Sequence, residues 1–199
     1  SFGALVLDDV TMAAGDLDAD AELELVLSTT NRGWVIALNA DGTPLPGWPV
    51  EVEGWEREAV GVLLGDLDRG RDGRLDVIAV GSDGRAFAWD RRGEELAGWP
   101  VDLGEEVVGR SSLGDLDGDG FLELVVPVGS TQVRGIRANG TAVENWPLSF
   151  SSGDSTRSSS ASPLVGDIDG DGNDEIITGA GPGDVFGPHV RGWNVDGGT

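Results

Sequence analysis

The chain of 199 residues carries 13 basic and 36 acidic side chains, a formal net charge of -23. That sign excludes a nucleic-acid binder, which must neutralise phosphates, and argues against docking on an anionic membrane. With 33 Gly, 9 Pro, 39% hydrophobic residues and no Cys, the chain is turn-rich and able to form a core. It has no disulfide, thiolate metal site or Cys nucleophile.

In chain order, the sequence opens on a strand over Ala4–Leu7 or Val10–Ala14. Gly15-Asp16-Leu17-Asp18 follows, then a second strand over Leu23–Leu27. The tetrapeptide recurs as Gly65-Asp66-Leu67-Asp68, Gly114-Asp115-Leu116-Asp117 and Gly166-Asp167-Ile168-Asp169, at spacings of 50, 49 and 52 residues. Two further landmarks keep step. One is Gly47-Trp48-Pro49, Gly98-Trp99-Pro100 and Asn145-Trp146-Pro147; the other is Asp41-Gly42, Arg92-Gly93, Asn139-Gly140 and Asp196-Gly197. Three landmarks in constant order establish four copies of one unit.

The second copy reads as strands over Ala59–Leu64, Leu75–Val80, Gly84–Asp90 and Trp99–Leu103. Leu122–Val128 and Glu175–Thr178 fill the second-strand slot of the later copies. Short strands bounded by Gly and Asp-Gly turns indicate antiparallel sheet, and no window shows the 3.6-residue apolar period of a helix. The longest apolar runs, Ala59–Leu64 and Leu124–Val128, are too short to span a bilayer as a helix. Four strands in about 50 residues is the size of one propeller blade. The expected fold is therefore all-β, a propeller with blades at roughly 1–50, 51–101, 102–150 and 151–199. The last blade ends after its third strand. Its outer strand must come from the N-terminal residues or from another chain, or the four blades belong to a larger ring, which two copies could also form.

The loops between first and second strands hold the chemistry. The third reads Asp115-x-Asp117-x-Asp119-Gly120-x-x-Glu123 and the fourth Asp167-x-Asp169-x-Asp171-Gly172-x-x-Glu175. The first, Asp16-x-Asp18-x-Asp20-Ala21-x-x-Glu24, lacks the glycine at position 6; the second, with Asp66, Asp68, Asp72 and Asp76, has two extra residues. Two like charges about 4 Å apart repel by roughly 4 kcal/mol at an effective dielectric near 20. A hard divalent cation removes that cost, and calcium takes oxygen ligands from carboxylates and carbonyls. The expected ligands are carboxylates at positions 1, 3, 5 and 9, with position-7 carbonyls from Glu22, Arg74, Phe121 and Asn173. Magnesium prefers to keep its waters, and zinc wants His or Cys. An EF-hand needs a carboxylate at position 12, where Leu27, Val77, Val126 and Thr178 stand.

The run Gly114-Asp115-Leu116-Asp117-Gly118-Asp119-Gly120 before an apolar strand resembles the FG-GAP (VCBS-like) repeat of integrin α-subunit propellers and many bacterial secreted proteins. The resemblance covers all four copies. Gly179-Ala180-Gly181-Pro182-Gly183 is also similar to the family's Gly-Ala-Pro element, from which the other copies depart. It implies calcium in each loop, up to four ions, held by the residues named above. Four ions would take the charge from -23 to about -15, and at 100-fold saturation each adds roughly 2.7 kcal/mol. Millimolar extracellular calcium would fill such sites, so an extracellular or cell-surface location is expected.

Trp48, Trp99 and Trp146 share one repeat position and are expected to pack blade against blade. Trp55 falls outside the pattern as a candidate sugar- or protein-stacking aromatic, and His189 is the single histidine. The serine-rich segment 149–162 is expected on the face opposite the acidic loops, as a ligand face or a plain insert. No hydrolytic triad, P-loop or dinucleotide fingerprint is present. The expected function is a non-catalytic calcium-binding scaffold for protein or carbohydrate partners. The alternatives are a glycan-specific lectin using Trp55, or an accessory domain of a polysaccharide-degrading enzyme. The latter needs an Arg beside the metal, which the sequence offers only at Arg69, Arg71 and Arg74.

Overall fold

The computed structural model describes residues 10–29, 33–55, 59–67, 74–129, 132–144, 146, 148–149, 162–179 and 190–193. Among them every regular element is a strand. The first sheet comprises β1 (Val10–Gly15), β2 (Glu24–Thr29), β3 (Trp34–Leu38) and β4 (Val50–Glu51). The second comprises β5 (Ala59–Gly65), β6 (Asp76–Gly81), β7 (Arg85–Trp89) and β8 (Val101–Asp102). The third comprises β9 (Ser112–Gly114), β10 (Glu123–Val128), β11 (Gln132–Ile136) and β12 (Leu148–Ser149). The fourth has β13 (Leu164–Gly166), β14 (Glu175–Gly179) and β15 (Val190–Trp193). Each is an antiparallel meander in sequence order. The fold is the all-β, blade-like array that the repeats predict; the alternative first strand at Ala4–Leu7 and His189 lie outside the described residues.

The sheets stack in an open row: β1 packs against β5, β5 against β9 and β9 against β13. One apolar cluster fills each gap. Between the first and second sheets lie Leu17, Val26 and Val35 against Val77, Phe87 and Trp89. Between the second and third lie Leu67, Ile78 and Val80 against Leu124, Val126 and Val128. Leu116, Val125, Val133 and Ile176 fill the third gap. Alternating side chains of β6 and β10 thus enter opposite gaps, and every residue of both strands is buried. Burying both faces of a four-stranded sheet requires a neighbour on each side.

The Gly-Trp-Pro element is a joint between repeats rather than a full strand. The expected strand Trp99–Leu103 shrinks to Val101–Asp102, because Pro100 has no N–H to donate and the Trp99 indole turns to the next repeat. Trp48 Nε1 donates to the Arg91 carbonyl at 3.0 Å and Trp99 Nε1 to the Ala138 carbonyl at 2.8 Å. Gly47 and Gly98, at φ +91° and +93°, let the backbone meet the Arg92-Gly93 or Asn139-Gly140 turn of the following repeat; a Cβ there would fall on the Arg92 or Asn139 carbonyl. Trp55 belongs to this joint and is not a surface aromatic. It is 6% exposed, stacked on Phe87 at 5.4 Å, while Arg85 ties the same segment down through the Gly54 carbonyl at 2.6 Å. A sugar cannot stack on a ring covered in this way.

Gly47→Ala or Gly98→Ala should cost at least about 2 kcal/mol, a loss of roughly 4–8 °C in Tm. Gly42→Ala, at φ +82° with open space around it, should cost only about 1 kcal/mol. Equal losses at the three positions in thermal melts would show that the glycines serve turn geometry and not the joint.

Candidate metal centre

Each acidic loop closes a hairpin whose last pair joins the glycine before position 1 to the acid at position 9. The pairs are Gly15 with Glu24, Gly65 with Asp76, Gly114 with Glu123 and Gly166 with Glu175. The position-9 acid points inward: Glu24 is 1% exposed, Asp76 4%, Glu123 2% and Glu175 3%. One of its oxygens accepts the position-2 backbone N–H, from Leu17 at 2.7 Å, Leu67 at 2.8 Å, Leu116 at 2.9 Å and Ile168 at 2.9 Å. Position 1 caps the loop from within, Asp16 accepting from Ala19 and Ala21 and Asp115 from Asp119 and Gly120.

Three loops bring positions 1, 3 and 9 together: Asp16, Asp18 and Glu24; Asp115, Asp117 and Glu123; Asp167, Asp169 and Glu175. In each triad one oxygen per residue lies within 4.8 Å of the others. Position 5 is not part of these groups. Asp20, Asp119 and Asp171 are exposed and accept the backbone N–H of Glu22, Phe121 and Asn173 at position 7. In the second loop Asp66, Arg74 and Asp76 are described, whereas Asp68 and Asp72 lie outside the described residues.

The triads fit a hard cation on two counts. Their donors are all carboxylate oxygens, and Asp18 Oδ1 and Asp117 Oδ1 are sealed from solvent with no hydrogen-bond partner among the described residues. A buried anionic oxygen without a partner costs free energy that an ion would offset. Burial pushes the Glu24 carboxyl above its ordinary range, opposed by the Leu17 N–H and reinforced by Asp18, Asp20 and Asp16. Glu123 is pushed up to about 7, chiefly by burial, with the Leu116 N–H acting against it and Asp117, Asp119 and Asp115 adding to it.

The first loop keeps the backbone of the others without their glycines. Ala19 and Ala21 sit at φ 64° and 71°, where the third loop has Gly118 and Gly120 and the fourth Gly170 and Gly172. A left-handed alanine costs about 1–2 kcal/mol, so the closed loop imposes a conformation the residue resists. Spacing alone misses one residue beside the third triad. Arg137, from the turn after β11, places Nη2 3.4 Å from Asp117 Oδ2 and lines a cavity of about 470 Å³ with Asp119, Phe121 and Glu123. An arginine near the acids is therefore not confined to the second loop.

The fold and its loops define a β-propeller repeat protein. Residues 115–178 match the family described as the FG-GAP-like repeat, and the same loop recurs in the other copies. No curated protein sequence matches the chain. Among solved structures it is similar to BBS1N from its complex with ARL6DN, with a TM-score of 0.59, 19% identity and 92% of this chain on 50% of that one. BamB from Moraxella catarrhalis gives a TM-score of 0.55, 19% identity, 96% of this chain and 50% of that one. A streptogramin B lyase gives 0.55, 10% identity, 93% and 59%. The chain thus spans about half the length of the first two.

In the metal-free protein the folded state holds the Glu123 proton more tightly than the unfolded chain, whose carboxyl stays near 4.5. Stability should therefore fall as pH rises from about 4.5 to 7. Melts in EDTA across that window should show the fall, and Glu123→Gln should flatten it. A wild-type Tm that rises through the window would contradict the assignment. Replacing Ala19 and Ala21 together by Gly should raise stability by about 1 kcal/mol; a loss on denaturant titration would mean the left-handed turns carry no strain.

Proposed function

We propose that this chain is a calcium-stabilised, non-catalytic propeller scaffold that works outside the cell and presents its loops to a protein or carbohydrate partner. One observation carries the reading: the same three-carboxylate group recurs in register in three repeats, with a buried, unpartnered oxygen in two of them. Asp16, Asp18 and Glu24, then Asp115, Asp117 and Glu123, then Asp167, Asp169 and Glu175 would hold the ions. The ion supplies charge neutralisation and a cross-link that closes each hairpin. The position-9 acid couples that cross-link to the backbone of position 2, whose side chain enters the gap between sheets. Calcium binding is in this way tied to the packing of the array.

A protein partner is supported by fold alone, through the likeness to BBS1N, whose structure is a complex with ARL6DN. A lectin that relies on Trp55 has lost its aromatic to the core. The likeness to a lyase lies at 10% identity and brings no catalytic residue to this chain.

Three sites filled about 100-fold over their dissociation constants would add roughly 8 kcal/mol, or about 16–32 °C in Tm. Circular-dichroism melts in EDTA, in a few millimolar calcium and in equal magnesium measure this directly. A calcium-specific rise of that order is expected. Identical melts in all three buffers would leave the loops as solvated turns and remove the basis of the proposal.

A further inference from the structure

The three triads carry the same types of acid but differ in what faces them. In the third, Arg137 sets Nη2 3.4 Å from Asp117 Oδ2, and its Nη1 donates to the Ala142 carbonyl at 3.1 Å. The guanidinium is thus anchored on its own turn while one edge faces the acidic loop. Among the described residues no ion pair reaches the acids of the first or fourth triad. The other oxygen of Asp117, Oδ1, is sealed from solvent without a hydrogen-bond partner.

The difference comes from one position of the repeat. Asn39, Asp90 and Arg137 open the same turn, each accepted four residues ahead through its backbone N–H, by the carbonyls of Thr43, Glu94 and Thr141. Asn39 directs its side chain to the Thr43 hydroxyl at 3.0 Å. Asp90 accepts the backbone N–H groups of Arg92 and Glu94 at 2.8 and 2.9 Å. Both of those side chains stay within their turn. Arg137 is long enough to leave it and crosses to the acidic loop of its own repeat. By sequence, Asn194 stands at this position in the fourth repeat. A guanidinium stays charged and has no acceptor with which to ligate a metal, so beside Asp117 it opposes a second cation.

We infer that, with calcium in the loops as proposed above, Arg137 is a built-in counter-ion of the third loop that competes with the ion for Asp117 and makes this site weaker than those of the first and fourth loops. In the metal-free protein the arginine offsets part of the repulsion among Asp115, Asp117 and Glu123, although a pair this exposed adds little stability. A divalent ion entering the triad meets a unit charge of its own sign on the same carboxylate. Even at the dielectric of water, such a charge costs about tenfold in affinity. Linkage makes the effect reciprocal, so calcium weakens the pair of Arg137 and Asp117 by the same factor. The array then holds calcium at two strengths. The first and fourth loops fill early, and the third responds over a higher range of calcium.

Calorimetric titration of calcium into the whole metal-free chain, at low salt, measures these affinities. Arg137→Gln should tighten one site about tenfold and leave the others unchanged. The gain should shrink at about 1 M salt, where charges are screened within about 3 Å; an effect of altered packing would persist there. In an Asp117→Asn background, Arg137→Gln should change nothing, because the site it opposes is already lost. The Arg137 side chain is 32% exposed, so circular dichroism should show the variant folded. Its Tm in EDTA should fall by no more than about 4 °C. Calcium affinities indifferent to Arg137, or an equal gain in the Asp117→Asn background, would overturn the inference while leaving calcium binding in place. Absence of calcium uptake by both the wild type and Arg137→Gln would remove the calcium reading itself, and the competition with it.

Discussion

The structure depends on one constraint: its sheets are apolar on both faces. Burying every residue of β6 and β10 is possible only if another sheet covers each side, so no repeat can fold as an isolated unit. The period near 50 residues, the row of sheets and the location of the apolar clusters follow from this. Clusters form between sheets and never within one, which makes the array a succession of equivalent joints.

Each joint is built from the pieces that the repeat keeps in constant order. At one end of the sheets, the acidic loops of the first three repeats send Leu17, Leu67 and Leu116 at position 2 into the gap ahead, and those of the second and third send Leu75 and Leu122 at position 8 into the gap behind. At the same end, Trp48 and Trp99 reach across to the turn of the next repeat. The loop thereby has two tasks that share one backbone: gathering carboxylates and locking neighbours. The hydrogen bond from the position-2 N–H to the position-9 carboxylate links them, because moving the acid displaces the residue that fills the gap. The left-handed Ala19 and Ala21 show that this linkage prevails over local backbone preference in the first repeat.

Much of this was legible because it is local and repeated. Gly-Asp-Leu-Asp followed by an apolar run marks hairpin and strand together, and β5, β6 and β7 lie within a residue or two of their expected bounds. The misreadings share a different cause, contacts between residues far apart in sequence. Trp55 looks like a loop aromatic until Phe87 stacks on it. Trp99 looks like a strand residue until its indole finds Ala138. Arg137 stands 20 residues from Asp117, and no spacing rule connects a turn after a third strand with a loop before a second. Within the loops the alternation of acids suggested one concavity for positions 1, 3 and 5. Position 5 also accepts the position-7 N–H through one oxygen, a contact between near neighbours that the alternation of acids does not announce.

The same geometry ties the charge of the chain to the packing of its sheets. The carboxylates occupy the very loops whose position-2 side chains enter the joints, so part of the acidic charge of the chain sits where sheets must approach. Within the chain, covalent connection holds those loops together despite their repulsion. Apolar contact sets how neighbouring sheets meet, and a cation held in each loop would remove the repulsive part without touching the surfaces that fit.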